Sequence, residues 1–252
     1  MPASSNSEIA VAVTGGAFPP TRWSLIRKIQ GAARDSEDAQ LALDEICRLY
    51  WIPVYVFFRR NGKGQEDAED LTQGFFQQLL TGPFFDRSDP ERGRLRSYLL
   101  GSAGNFLAVD RRRQSALKRG GKIRFLHIDA EHAEGIAFKE LVASEQAGPD
   151  ELFERRWALD LLERALLRLR THYVKLKQDE VYEVVSPMIS EAPKGAVATA
   201  ASKLSQSHNA VRIALYRMKK RFQEAVRAEV ELTLEPGGNI EEELAHLAGL
   251  LG

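Results

Sequence analysis

The chain has 252 residues, with 35 Lys+Arg against 35 Asp+Glu, a formal net charge of zero and 44% hydrophobic residues. This length allows one large domain or two small ones, and the composition is that of an ordinary globular protein, not a fibrous or low-complexity one. The single cysteine, Cys47, excludes an intramolecular disulfide and a cysteine zinc site and suits a reducing cytoplasm.

The zero total conceals segregation. Basic residues gather at 92–124 and 203–221, acidic ones at 129–154 and in the C-terminal tail, as expected of separate partner surfaces on one chain. The start, Met1 to Ser7, lacks the charged region of a signal peptide, and no run approaches the ~20 apolar residues of a membrane helix. A cytoplasmic location without membrane insertion is expected.

In chain order, residues 1–20 read as a disordered N-terminus, small and polar, with Gly15-Gly16 and Pro19-Pro20. Thr21 is placed to cap a helix carrying Trp23, Leu25, Ile26 and Ile29. Ser36 caps the next, with Ala39, Leu43, Ile46, Cys47 and Tyr50 on one side. Pro53 is expected to interrupt or kink it before Asn61-Gly62-Lys63-Gly64 ends it. The acidic run Glu66 to Asp70 then opens a helix on which Leu71, Phe75 and Leu79 recur at helical spacing. Its carboxylates crowd the end that the helix dipole favours. After a loop to Pro90, a basic helix runs to Arg113, with Leu95, Leu99, Ser102, Phe106 and Val109 as its inward stripe. Arg92, Arg94, Arg96, Arg111, Arg112 and Arg113 are left for other faces, which suggests a nucleic-acid surface. These helices make an all-α domain over 21–117.

From 118 to 149 the periodicity weakens into a flexible linker, basic at Lys118-Arg119-Gly120-Gly121-Lys122, with a short extended piece expected at 123–128. A second helical domain is expected over 150–232. Asp150 caps a helix bearing Leu152, Phe153, Trp157, Leu161, Leu162, Leu166 and Leu169, and a weaker helix carries Val181, Val184 and Val185. An alanine-rich helix from Gly195 to Leu204, the break Ser205-Gln206-Ser207 and a long helix from His208 to about Leu232 follow. On the last, Val211, Leu215, Met218, Phe222 and Val226 step by three and four. This is a helix-turn-helix pattern, whose second helix enters the major groove in DNA-binding proteins. Arg212, Arg217, Lys219, Lys220 and Arg221 lie mostly off the apolar stripe, where cations contact phosphate. His208, Asn209 and Arg212 stand near the helix start, placed to meet base edges. The bland alternative is that these charges only solubilise the helix.

Residues 233–252 form a C-terminal extension. Pro236-Gly237-Gly238 breaks the chain, and Asn239-Ile240-Glu241-Glu242 reads as a capping box for a helix bearing Leu244, Leu247 and Leu251. Its acidic charge and leucine stripe suggest docking on the chain's own basic surfaces. Catalytic signatures are poor. His127 and His132 match no zinc-helix spacing, Gly62-Lys63-Gly64 lacks the rest of a phosphate loop, and Asp67 and Asp70 are simply first-turn dipole partners. No enzyme activity, cofactor or metal is expected.

The ordered motifs carry a family resemblance. Asp67-Ala68-Glu69-Asp70-Leu71-Thr72-Gln73, then Asp89-Pro90-Glu91-Arg92-Gly93-Arg94-Leu95-Arg96-Ser97-Tyr98-Leu99-Leu100, then Asn105 to Arg111 resemble region 2 of bacterial sigma factors of the extracytoplasmic-function type. Ala200 to Arg212 and Tyr216 to Phe222 resemble their region 4. The resemblance implies two helical domains joined by a flexible linker, in a subunit that binds core RNA polymerase, recognises promoter DNA and starts its melting. It implies that Asp67, Asp70, Leu71 and Gln73 meet the polymerase. Arg94, Arg96, Ser97, Tyr98 and Asn105 hold the minus-ten element, with Arg111, Arg112 and Arg113 on backbone phosphate. Ser207, His208, Asn209, Arg212, Tyr216, Arg217 and Lys220 read the minus-thirty-five element. An anti-sigma factor is a further partner that the resemblance leaves room for. The chain departs from the family at Gly74, where a glutamate is usual, and at Ser205, where the turn usually holds glycine. Rival readings are a stand-alone helix-turn-helix regulator that never touches polymerase, and a protein-interaction adaptor.

Overall fold

In the computed structural model, which describes residues 25, 29, 36–81, 94–114, 133–137, 146–234 and 238–251, no strand occurs among those residues and the architecture is all-α. The expectations for the N-terminus, the Thr21 cap, Arg92, the loop before Pro90 and the extended piece at 123–128 lie outside the described residues. Among the described residues, no helix is long and apolar enough to cross a membrane.

Helix α1 (Glu37–Arg60) begins where Ser36 Oγ accepts a hydrogen bond from the Ala39 amide at 3.3 Å. It ends at Asn61, with Gly62 in the left-handed region at φ 81°. Pro53 does not interrupt it: the helix runs through the proline, which is itself buried. A proline inside a helix costs about 3 kcal/mol, whereas each fully buried large apolar side chain returns about 1.5–3 kcal/mol. The next five residues, Val54, Tyr55, Val56, Phe57 and Phe58, are all buried, so packing outweighs the lost hydrogen bond.

Helix α2 (Gln65–Thr81) buries Ala68, Leu71, Thr72, Phe75, Phe76 and Leu79 against α1. Phe76 stacks on Trp51 at 5.5 Å, and Phe75 meets Phe58 and Phe106 edge-on. Helix α3 (Leu95–Gln114) covers the same core, with a corrected stripe. Leu95, Leu99, Ala103 and Leu107 are buried, Ser102 is half-buried and Val109 is exposed. Stepping by four instead of by three and four rotates the inward face and brings Arg96 into it.

Helix α4 (Pro149–Lys175) starts one residue before the expected Asp150 cap. Gly148 is the N-cap and Pro149 the first helical residue, a place where proline's missing N–H would have no partner anyway. Its 27 residues reach about 40 Å at 1.5 Å per residue. Leu152, Phe153, Trp157 and Leu161 join the α1 to α3 core, whereas Leu169 and Tyr173 join a second cluster. Between them Ala165 continues the stripe, and Leu166, expected to face inward, is instead exposed beside Leu167.

Helix α5 (Asp179–Val185) and a short 3-10 turn (Ser186–Met188) lead to α6 (Ala196–Lys203) and α7 (His208–Glu231). Val185, Met188, Ala200, Ala201, Val211 and Met218 complete the second cluster. The far end of α7, through Val226 and Val230, returns to the first cluster, where α8 (Ile240–Leu251) adds Leu247. Of the range 118–149, the described part includes a helical segment at 133–137, held to α1 by Glu134 and Arg59 at 2.7 Å.

Candidate nucleic-acid interface

The turn between α6 and α7 is built by three residues. Ser205 takes a left-handed backbone at φ 51°, the conformation for which glycine is usual. The Gln206 amide donates back to the Ala201 carbonyl at 3.0 Å, closing the end of α6. Ser207 is extended, and its Oγ accepts from the Ala210 amide at 3.2 Å, capping α7.

From that cap, α7 presents one continuous outer face. Ser207, His208, Asn209, Arg212, Tyr216, Arg217 and Lys220 are all exposed, and Tyr216 keeps 71% of its surface. Ile213, which sequence reasoning missed, is 44% exposed on the same face. Val211 and Met218 anchor the opposite side in the second cluster, with Leu215 and Phe222 packed against it. The face therefore combines cations with a projecting aromatic ring and an apolar contact, on a rigid capped helix. On α4, burial, with the cations Arg221 and Lys175 adding to it, pushes the His172 imidazole below its ordinary value.

The α3 set divides. Ser97, Asn105 and Arg111 are exposed, while Tyr98 and Arg94 are half-buried. Arg111 donates to the Asn61 carbonyl at 3.5 Å. The side chains of Arg112 and Arg113 lie outside the described residues. Arg96 is a correction: expected on an outer face, it is 3% exposed. Its Nε donates to Glu154 Oε2 at 2.6 Å, its Nη1 to Glu243 of α8, and its guanidinium lies over the Trp157 ring at 4.0 Å.

The expected polymerase-facing residues divide too. Asp67 and Asp70 are exposed in the first turns of α2, Gln73 is half-buried, and Leu71 is a core residue at 7% exposure. Leu71 stands three residues after buried Ala68 and four before buried Phe75, on the inward stripe of α2, so little of it is left for the partner contact expected of it. Gly74 has a physical reason absent from its sequence context: a Cβ there would come within 3.3 Å of Phe106 Cζ. Any side chain at that point requires the Phe106 ring to give way by a few tenths of an ångström.

The C-terminal helix brings in groups that the sequence did not assign. Asn239 Oδ1 caps α8 by accepting from the Glu241 and Glu242 amides at 3.1 and 3.3 Å. Glu243 is fully buried, and its Oε2 lies 2.8 Å from Arg94 Nε without hydrogen-bond alignment. His246 Nε2 lies 3.3 Å from Glu154, and Glu241 accepts from Arg227 at 2.6 Å. The expected docking of the extension on basic residues of its own chain is thus what the geometry holds. Acidity in the first turn of α8 was the available signal. No protein-family model matches the chain, and neither the curated proteins nor the solved structures return a match.

Proposed function

We propose that the chain is a promoter-recognition subunit of the sigma type, which joins core RNA polymerase and contacts DNA at two elements without catalysis of its own. The observation that carries this reading is the outer face of α7, where Ser207, His208, Asn209, Arg212, Tyr216, Arg217 and Lys220 are exposed together behind a capped turn. Amide and imidazole groups at the helix start suit base edges, and Arg212, Arg217 and Lys220 suit phosphate, whose neutralisation releases counterions. On α3, Ser97, Tyr98, Asn105 and Arg111 supply hydroxyl, aromatic, amide and cationic groups of the kind that hold unstacked bases and their backbone. Asp67 and Asp70 supply an acidic grip for the polymerase.

A second reading, a helix-turn-helix regulator acting without polymerase, is favoured by one observation. With Leu71 in the core and Gln73 half-buried, the polymerase patch reduces to the two carboxylates.

Reconstitution with core RNA polymerase separates the two. Stable copurification and new transcription start sites are expected of the first reading. Duplex binding with no association with polymerase is the outcome of the second.

A further inference from the structure

The N-terminal end of α3 carries two arginines close to one buried carboxylate that belongs to a helix at the other end of the chain. Glu243 Oε1 accepts from Arg96, and Glu243 Oε2 sits 2.8 Å from Arg94 Nε. The arrangement leaves hydrogen-bonding capacity unused. Arg96 Nη2 is buried without an acceptor, and Glu243 Oε2 is buried without an aligned donor. Glu154 and Glu243 each take one N–H group of Arg96, yet Nη2 keeps a donor that neither satisfies. Buried donors of a settled core are almost always paired, so this edge of the guanidinium suits an anion with further acceptors. A phosphodiester group has those acceptors.

Apart from Glu243 itself, the element that fills the place has few anchors among the described residues. α8 is 12 residues long, with Leu247 its one buried apolar side chain and Ile240, Leu244, Leu250 and Leu251 only partly covered. An isolated helix of that length is marginal in water. Its remaining polar ties are Arg227 with Glu241, where both side chains are largely exposed, and His246 with Glu154. Exposed ion pairs of the first kind are worth little. Arg94 is 39% exposed at its side chain, so the site opens toward solvent on the side where Ser97 and Asn105 are also exposed.

We propose that Arg94 and Arg96 form a phosphate-binding site for nucleic-acid backbone that Glu243 occupies in cis, so that α8 competes with DNA and is displaced by it. The inference rests on the DNA-binding reading above and adds its regulation. In the closed chain the α3 surface is held back, and binding at α3 and release of α8 are one exchange of anions.

The test uses the full chain and a fluorescein-labelled single-stranded DNA of about 20 nucleotides, a length that covers more than one single-strand site. Anisotropy gives the affinity, and amide hydrogen exchange on α8 gives its release. Glu243→Gln removes the competing charge while keeping the shape. It is expected to raise the affinity at least fivefold and to speed exchange on α8, and adding Arg94→Ala is expected to return the affinity to the parent value. Leu247→Ala, which loosens α8 but keeps Glu243, is expected to act in the same direction and serves if Glu243→Gln folds poorly. Added DNA is expected to speed α8 exchange in the parent chain. Equal DNA affinity in the parent chain and both variants, with α8 released, overturns the competition while leaving DNA binding intact. No binding by any form overturns both readings.

Discussion

The Arg96 guanidinium lies 4.0 Å from the centre of the Trp157 ring, which puts a cation of α3 over an aromatic face of α4 with carboxylates at its edge. Glu243 is fully buried and has no bulk water to replace the arginine, whereas Glu154, 17% exposed, has a little. Removing one member of a buried pair costs about 3–5 kcal/mol, because the partner's charge stays behind. Arg96→Ala is expected to lower the unfolding free energy by that order, read as a lower urea midpoint with little change in slope. Arg96→Met combined with Glu243→Leu and Glu154→Met, which removes both carboxylate partners of the arginine, is expected to recover part of the loss, since apolar replacement of a whole buried charge cluster is often neutral. A single-variant loss below about 1 kcal/mol would place this pair with exposed ones.

Gly74 and Phe106 make a second close relationship. Glycine inside a helix costs up to ~1 kcal/mol relative to alanine, which would favour Gly74→Ala on local grounds alone. Against this, the new Cβ meets Phe106 Cζ at 3.3 Å, and the ring is confined by Phe58 at 6.4 Å and Phe75 at 5.8 Å. Overpacking costs about 1–3 kcal/mol, so the net effect of Gly74→Ala is a modest destabilisation. In a Phe106→Leu background the same change is expected to stabilise. Thermal unfolding of the four-member cycle reads the sign reversal.

The turn before α7 permits opposite predictions at neighbouring serines. Ser205 holds φ 51°, which costs a non-glycine residue about 1–2 kcal/mol, so Ser205→Gly is expected to stabilise, partly offset by unfolded-state entropy. Ser207 caps α7 through the Ala210 amide, and Ser207→Ala is expected to cost about 1 kcal/mol. Chemical denaturation distinguishes them. A loss in both variants would mean that Ser205 makes a contribution its backbone does not reveal.

Asp160 gives a pH dependence of known sign. Burial pushes its carboxyl up to about 6 from 3.8, although Arg156 and Arg164 oppose the shift. Between those values the folded chain keeps a proton that the unfolded chain has released, so this group's contribution to stability falls as pH rises through the window. Asp160→Asn removes the titration. Relative to that variant, the parent is expected to lose stability between about pH 4 and pH 7, by about 3 kcal/mol at most. Urea unfolding at the two ends of the window checks it, and a difference of opposite sign refutes the assignment.

Local chemistry made part of this structure legible in advance. Ser36 before α1 and Asn239 before α8 cap their helices because a short side-chain oxygen reaches amides two or three residues on, whatever the tertiary setting. Ser207, expected only as part of a break, caps α7 in the same way. Val211 and Met218 were readable as inward residues of α7 because its apolar positions leave one option. On α3, where glycines and alanine dilute the pattern, two inward stripes fit the sequence, and only the α4 partner decides between them. That ambiguity misplaced Arg96 and Val109. The Arg96 to Glu243 bond spans 147 positions, a separation over which charge patterning suggests a sign but no address. The interruption expected at Pro53 failed for the same reason, since the burial that carries the helix through it comes partly from other helices. The exposure of the outer face of α7 was the best anticipated feature of these helices. Solvent-facing residues are found by subtraction once the anchors are known.

The span of α4 bears on how the molecule can be divided. Trp157 and Leu161 sit with Ile46 and Val54, whereas Leu169 and Tyr173, farther along the same rod, sit with Val211 and Met218. Cleavage just ahead of Pro149 therefore does not release two self-sufficient pieces. The leading fragment is left with a greasy flank where Phe153 and Trp157 belonged, and should clump unless the trailing fragment is supplied alongside it.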